Sequence, residues 1–130
     1  MTSYDFSGQS GARVNQVSEL DLAPSLGSGD VPVLATPRVV AWLEAAAVAA
    51  LAGLPDGKTS VGIHIAVDHT APTLVGAEVQ AEAQVTAVEG SRIEFDVRAS
   101  EGDQIVASGT HTRVIVDRER FLTRAGLGAD

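Results

Sequence analysis

One alanine-rich helix constrains the fold of this chain more than any other segment. Thr36 is a favourable N-cap, Pro37 suits the first helical position, and Gly53 and Pro55 supply a stop signal. The predicted helix, 37–52, is apolar nearly all round, and helices of this kind are buried. Because such a helix needs cover on every side, the rest of the chain is expected to wrap around it.

The cover is predicted to be a sheet, because the hydrophobic period changes to two after residue 58. Alternating segments are found at 59–69, 79–87 and 93–99, and a long strand-like run at 104–116 follows a turn. A first short strand is predicted at 14–22, followed by a loop at 23–30. This order predicts an α+β hotdog fold, in which an antiparallel sheet of about five strands is wrapped around one long central helix.

The 130 residues correspond in length to one domain. We expect a flexible N-terminal tail at 1–13, a single domain at 14–124 with a short polar and helical end at 118–124, and a C-terminal tail at 125–130. A small sheet around one helix leaves an open edge, so a homodimer joined edge to edge is expected.

Composition excludes several classes of function. Seventeen acidic against nine basic residues give a net charge of −8, which argues against nucleic acid, and the single lysine, Lys58, argues against an anionic membrane surface. The absence of cysteine excludes disulfides, a thiolate nucleophile and Cys-ligated zinc. No secretory signal or membrane-spanning run is recognisable, so a soluble cytoplasmic protein without a cofactor is expected.

Glu44 is unexpected in the middle of the apolar helix. Burial of an unpaired carboxylate is costly, so Glu44 lies on a narrow solvent stripe, pairs with a core group, or faces a cleft as a base or nucleophile. Thr36 begins the same helix about 12 Å earlier. Its N-capping role is a sufficient explanation for Thr36 alone, but a substrate lying along the helix would contact both residues.

The strands add further candidates. His69 has the inward parity of its strand and is either a hydrogen-bonded core residue or a catalytic group. His64 and Asp68 share the opposite face, so no metal site is expected. Gly62, among β-branched residues, indicates a bulge or a close backbone approach. Arg113 is either a surface residue or an anion partner near a cleft.

Four segments taken together resemble the fluoroacetyl-CoA thioesterase-like family of hotdog acyl-CoA thioesterases over residues 14–122: Ala35-Thr36, Trp42-Leu43-Glu44, Asp68-His69-Thr70-Ala71 before Pro72, and Ser108-Gly109-Thr110-His111-Thr112-Arg113. The resemblance implies a catalytic group made of Thr36, Glu44 and His69. It also implies that Gly62 contacts substrate near the thioester, that Arg113 lies near the site, and that the site is at a dimer interface.

The resulting hypothesis is hydrolysis of a small acyl-CoA thioester, with Glu44 as general base or nucleophile. The alternative is a non-catalytic hotdog module that binds an acyl-CoA or another small apolar ligand, and a hotdog hydratase is a third option. The loop at 23–33 has no aromatic residue, so weak preference between fluoroacetyl-CoA and acetyl-CoA is expected unless Tyr4 or Phe6 supplies a lid.

Overall fold

A five-stranded antiparallel sheet curves around one long helix. The computed structural model describes residues 4–127. In chain order its elements are β1 (Ser10–Gln16), a 3-10 turn (Glu19–Asp21), α1 (Ala23–Leu26), α2 (Thr36–Ala50), β2 (Lys58–His69), β3 (Glu78–Glu89), β4 (Arg92–Glu101), β5 (Gln104–Asp117) and α3 (Arg118–Arg124). The predicted α+β hotdog architecture is confirmed. Within this part of the chain, no helix is long and apolar enough to cross a membrane.

The strand order in the sheet is β1-β3-β4-β5-β2, so β1 and β2 are its edges. The three strands β3, β4 and β5 follow one another as hairpins, as their short turns predict. Inward residues of β3 and β4 are buried in the predicted alternation, and they form the main apolar surface against the helix: Val79, Ala81, Ala83, Val85, Ile93, Phe95, Val97 and Ala99.

The helix α2 is buried on one side only. Its buried stripe repeats at helical spacing and consists of Val39, Leu43, Ala46, Ala47 and Ala50. The opposite face is open in the single chain, where Ala41 is exposed and Val48 is 48% exposed. The expectation of a helix buried all round is therefore wrong for one chain, because five strands cover only one side of it.

The first strand begins earlier than predicted. Residues 10–16, not 14–22, form β1, and they pair with β3 from Ser10 opposite Gln84 to Gln16 opposite Glu78. The reason is Gly11, where a Cβ would collide with the backbone of α2 at Ala46 and Ala50. A glycine at this position lets β1 lie directly on the helix, and local periodicity does not show this.

Two other expectations at the N-terminal side are corrected. Phe6, placed in the predicted tail, is buried in the core, and the predicted loop at 23–30 begins with the short helix α1. The outermost residues of the two predicted tails, 1–3 and 128–130, lie outside the described residues.

A β-bulge divides β2 into two halves. Its register against β5 shifts between Gly62 and His64, which leaves Ile63 unpaired and 50% exposed. The bulge reverses the alternation, so Gly62 instead of Val61 shares the inner face with His69. The bulge and the inward parity of His69 are confirmed, but the uninterrupted alternation from 61 to 69 is not.

Candidate active site

Thr36 and His69 meet where α2 begins and β2 ends. The Thr36 Oγ1 lies 2.7 Å from the Nδ1 of His69. The N-cap of α2 is Ala35, and no side chain caps this helix, so the prediction that Thr36 is the N-cap is wrong. The hydroxyl that would have capped the helix is hydrogen-bonded to a histidine from the far end of an edge strand instead.

The imidazole of His69 has one ring nitrogen on Thr36 and the other unpaired. Its Nε2 is buried and has no hydrogen-bond partner within residues 4–127. Burial lowers the pKa of His69 below its usual 6.5, because desolvation disfavours the charged ring. A neutral imidazole with a free Nε2 can take up or deliver a proton at that atom, depending on the tautomer that Thr36 selects.

A second cluster lies on the inner face before the bulge and is centred on Arg113. Its Nε donates to the Ser60 Oγ at 2.9 Å, and its Nη2 donates to the Ser60 carbonyl at 3.1 Å. The remaining Nη1 is 3.8 Å from the Oε2 of Glu44. Arg113 is thus buried and held by two hydrogen bonds to Ser60, and its Nη1 is directed towards a carboxylate on α2.

The Glu44 carboxylate is less buried than its neighbours in the sequence suggest. Its side chain is 41% exposed, whereas that of Arg113 is 9% exposed. Glu44 lies at the margin of the covered side of α2, where its carboxylate faces Arg113 on β5 and Gly62 on β2. In the single chain Glu44 is thus a partly exposed carboxylate beside a buried arginine.

His111 completes this cluster, and the sequence analysis did not single it out. Its Nδ1 is 2.7 Å from the His64 carbonyl, and its Nε2 is 3.2 Å from the Nη1 of Arg113. Because a carbonyl only accepts and a guanidinium only donates, the ring is neutral with its proton on Nδ1. Burial lowers the pKa of His111, and Arg113 acts in the same direction. The sequence signal that could have identified His111 is its spacing, because residues two apart on one strand, such as His111 and Arg113, share a face.

Gly62 makes room for the whole cluster. A Cβ at this position would lie 3.0 Å from the Glu44 Oε2, 3.1 Å from the His111 Cε1 and 3.2 Å from the Arg113 Nη1. These separations are tighter than ordinary van der Waals contacts, so a side chain would displace one of the three groups. The predicted close approach is confirmed, while substrate contact by Gly62 remains a prediction.

The single chain keeps the two clusters apart. Glu44 is eight residues after Thr36 on α2, which corresponds to about 12 Å of helical rise. His69 is seven residues after Gly62 on β2, which corresponds to about 23 Å of extended strand. The structure therefore brings Thr36 together with His69, and Glu44 together with Gly62 and Arg113, but it does not unite the two groups within one chain.

Known structures place this architecture in the hotdog class of proteins. The chain is similar to the fluoroacetyl-CoA thioesterase FlK, with 30% identity, a TM-score of 0.87, and coverage of 95% of this chain and 97% of that one. A variant of FlK solved in complex with fluoroacetate and CoA is 33% identical, with a TM-score of 0.81 over 88% of this chain and 98% of the other. A hot-dog-like protein from Thermanaerovibrio acidaminovorans is 26% identical, with a TM-score of 0.84 over 98% and 100% of the two chains.

The chain belongs to the fluoroacetyl-CoA-specific thioesterase family, whose family model matches residues 17–119. The fluoroacetyl-CoA thioesterase of Streptantibioticus cattleyicolor is 40% identical over 90 residues, which are 68% of this chain. The match spans 65% of the length of that curated relative. The resemblance drawn from four segments of sequence is thus confirmed, and with it the thioesterase class of the family.

Proposed function

We propose that the protein hydrolyses a small acyl-CoA thioester to a free acid and CoA. Membership of a thioesterase family supports the reaction class. The observation that carries the proposal is the pair Thr36–His69, in which a neutral, partly buried imidazole keeps one nitrogen unpaired beside a hydroxyl at 2.7 Å. An unpaired buried nitrogen costs stability unless another group uses it, and a reacting substrate is such a group.

Glu44 is the group that starts the reaction. As a general base it removes a proton from water while the water oxygen attacks the thioester carbonyl; as a nucleophile it attacks the carbonyl itself and forms an anhydride that water then opens. In both routes the carbon–sulfur bond breaks and the thiolate leaves. The partly exposed carboxylate beside Arg113 is accessible to water and to substrate, which supports either role.

The other residues stabilise developing charge or hold the reacting groups in position. His69 protonates the departing thiolate or stabilises it, and Thr36 orients the imidazole through its hydroxyl. Arg113 holds the Glu44 carboxylate, and the backbone at Gly62 is the candidate donor to the carbonyl oxygen as negative charge develops on it.

The separation of the two clusters supports a homodimer. β2 is an edge strand with a free hydrogen-bonding side, and the adjacent face of α2 is open. An antiparallel pairing of two β2 strands along this edge would bring the His69 end of one chain towards the Gly62 end of the other. Such a pairing would assemble each site from Thr36 and His69 of one chain and Glu44, Gly62 and Arg113 of the other.

A thiol-release assay with acetyl-CoA, propionyl-CoA and longer acyl-CoAs tests the reaction. Glu44→Gln keeps the shape of the side chain and removes its charge, so turnover is expected to fall by about 10²-fold or more. Glu78→Gln, on the outer face of β3, is the matched control and is expected to turn over like wild type. Saturable CoA-ester binding without thiol release, in wild type and Glu44→Gln alike, would instead show a binding module.

A further inference from the structure

We infer that a pocket between the start of β2, the end of β5 and α3 binds the nucleotide end of the coenzyme through its phosphates and adenine. This inference rests on the proposed acyl-CoA substrate. The pocket has a volume of about 330 Å³, at the lower end of the range for small-molecule sites, so it suits part of a nucleotide. Its lining includes three cations and two aromatic rings: Lys58, Arg120, Arg124, Tyr4 and Phe121.

The charge distribution makes this pocket exceptional in an acidic chain. The segment 117–124 and Lys58 together carry four cations and two carboxylates, whereas the rest of the chain carries five cations and fifteen carboxylates. CoA brings roughly four negative charges from its diphosphate and its phosphate monoester. A chain of net charge −8 repels such a polyanion at long range, so binding requires a local concentration of cations.

The cations of the pocket are available to a ligand. Within residues 4–127, no carboxylate lies within ion-pair distance of Lys58, Arg120 or Arg124. The nearest acidic lining residue, Asp117, accepts the backbone N–H of Arg120 at 3.0 Å as the N-cap of α3. That hydrogen bond, followed by the charges of Lys58 and Arg120, lowers the pKa of Asp117. The carboxylate thus has a structural role and leaves the guanidinium groups unpaired.

A comparison with a larger cavity shows why size alone does not identify the site. That cavity, of about 810 Å³, lies on the outer face of the sheet and contains Glu82, Asp96 and Arg98. Its single cation, Arg98, is already paired with Glu82 at 3.0 Å. The net charge of its lining is negative, and it has no aromatic ring on which a base could stack. The smaller pocket is the one that matches a nucleotide.

The position of the pocket fits the length of the coenzyme. The inner face of β2 and β5 runs from the Arg113 cluster to the pocket through three successive cross-strand pairs, Gly62–Arg113, Ser60–Ile115 and Lys58–Asp117. The four residues from Gly62 to Lys58 span about 13 Å. A pantetheine arm, about as long as four or five extended residues, reaches about 15 Å from its sulfur to the diphosphate. A thioester at Gly62 is therefore within one pantetheine length of Lys58.

The test compares acetyl-CoA with acetyl-pantetheine, which has the same thioester and arm but no nucleotide. In Arg120→Ala and Arg124→Ala the KM for acetyl-CoA is expected to rise about tenfold, which corresponds to the loss of one charge-assisted contact. The kcat for both substrates and the KM for acetyl-pantetheine are expected to stay as in wild type. Arg98→Ala is the matched control, and Arg120→Lys is expected to restore part of the lost affinity.

One further measurement separates failure of the pocket from failure of the proposed function. Adenosine 3′,5′-bisphosphate is expected to bind wild type by calorimetry and to bind Arg120→Ala about tenfold more weakly. This measurement needs no turnover, so it tests the pocket even if no thioester is hydrolysed and the proposed function fails. An equal change of KM for both substrates, or unchanged bisphosphate binding in both arginine variants, would overturn the nucleotide pocket.

Discussion

The two polar clusters on the inner face of β2 differ in how completely their side chains are paired. Around Arg113, the guanidinium contacts Ser60 through Nε and Nη2 and His111 through Nη1, so all three of its nitrogens have a partner. Around His69, a single hydrogen bond to Thr36 leaves Nε2 without one in the described chain. The first cluster is a fixed support for Glu44, while the second keeps an atom available for chemistry. Substitutions in the two clusters should therefore differ in how they change stability and turnover.

The largest expected effect is in the cluster around His69, whose Nε2 is unpaired in the described chain. His69→Ala removes the group proposed to transfer the proton, so kcat for acetyl-CoA hydrolysis is expected to fall by about 10³-fold while thermal stability changes little. His64→Ala is the matched control, because His64 is an exposed histidine of the same strand. Turnover close to wild type in His69→Ala would remove this residue from the site.

The next effect tests how tightly the supporting cluster is packed. In Gly62→Ala the new methyl group lies 3.0–3.2 Å from Glu44, His111 and Arg113, so at least one of them must move. We expect a loss of about 1–3 kcal/mol in unfolding free energy together with a fall in kcat of about tenfold or more. Gly29→Ala, at a glycine that like Gly62 is not at positive φ and whose added Cβ would meet only the Ala23 Cβ at 3.5 Å, controls for the general cost of replacing a glycine. Full activity in Gly62→Ala would contradict this prediction, because the cluster would then accommodate the added methyl group without loss of function.

Replacement of His111 is expected to lower the stability of the protein more clearly than its activity. His111→Phe keeps the stacking on Phe95, where the ring centroids are 5.9 Å apart, but it removes the contacts to the His64 carbonyl and to Arg113. We expect a loss of about 1–3 kcal/mol in the free energy of unfolding and a fall in kcat of a few-fold, because Arg113 loses one of its supports. Chemical denaturation and steady-state kinetics measure the two effects.

The same histidine predicts a pH dependence. Its pKa is lowered by folding, so between 6.5 and that lower value the unfolded chain binds a proton that the folded chain does not. Stability is therefore expected to fall as the pH falls through 6.5, and His111→Phe is expected to show a shallower fall. Denaturation midpoints at pH 7.5, 6.5 and 5.5 give this slope, and identical slopes in both proteins would contradict the assignment.

The smallest effect concerns the acyl group. The loop before α2 has no aromatic residue, and Tyr4 lies beside Lys58, at the opposite end of β2 from His69. Neither observation provides a bulky gate next to Thr36, so the ratio of kcat/KM for fluoroacetyl-CoA over acetyl-CoA is expected to stay below about tenfold. A preference of several orders of magnitude would show that another part of the molecule, or a second chain, closes the site.

The sequence by itself determined the elements that depend on local pattern. Proline and glycine signals placed the helix at 37–52 against the observed Thr36–Ala50. Period-two alternation located β3 and β4, and the turn before a long run located β5, to within a few residues. Parity placed His69 on the inner face, and a glycine among β-branched residues located the bulge. These features depend on residues that are close together in the sequence, so a short segment is sufficient to predict them.

Only the tertiary structure decided which of these residues meet. Gly11 lies against α2, so residues 10–13 of the predicted tail belong to β1. The bulge turned Gly62 inward, the Thr36 hydroxyl was directed to His69 instead of the helix N-terminus, and His111 was brought to Arg113. Each of these contacts joins residues whose partners are set by strand register or by helix–sheet packing. Register depends on pairing between distant segments, and no local period encodes it.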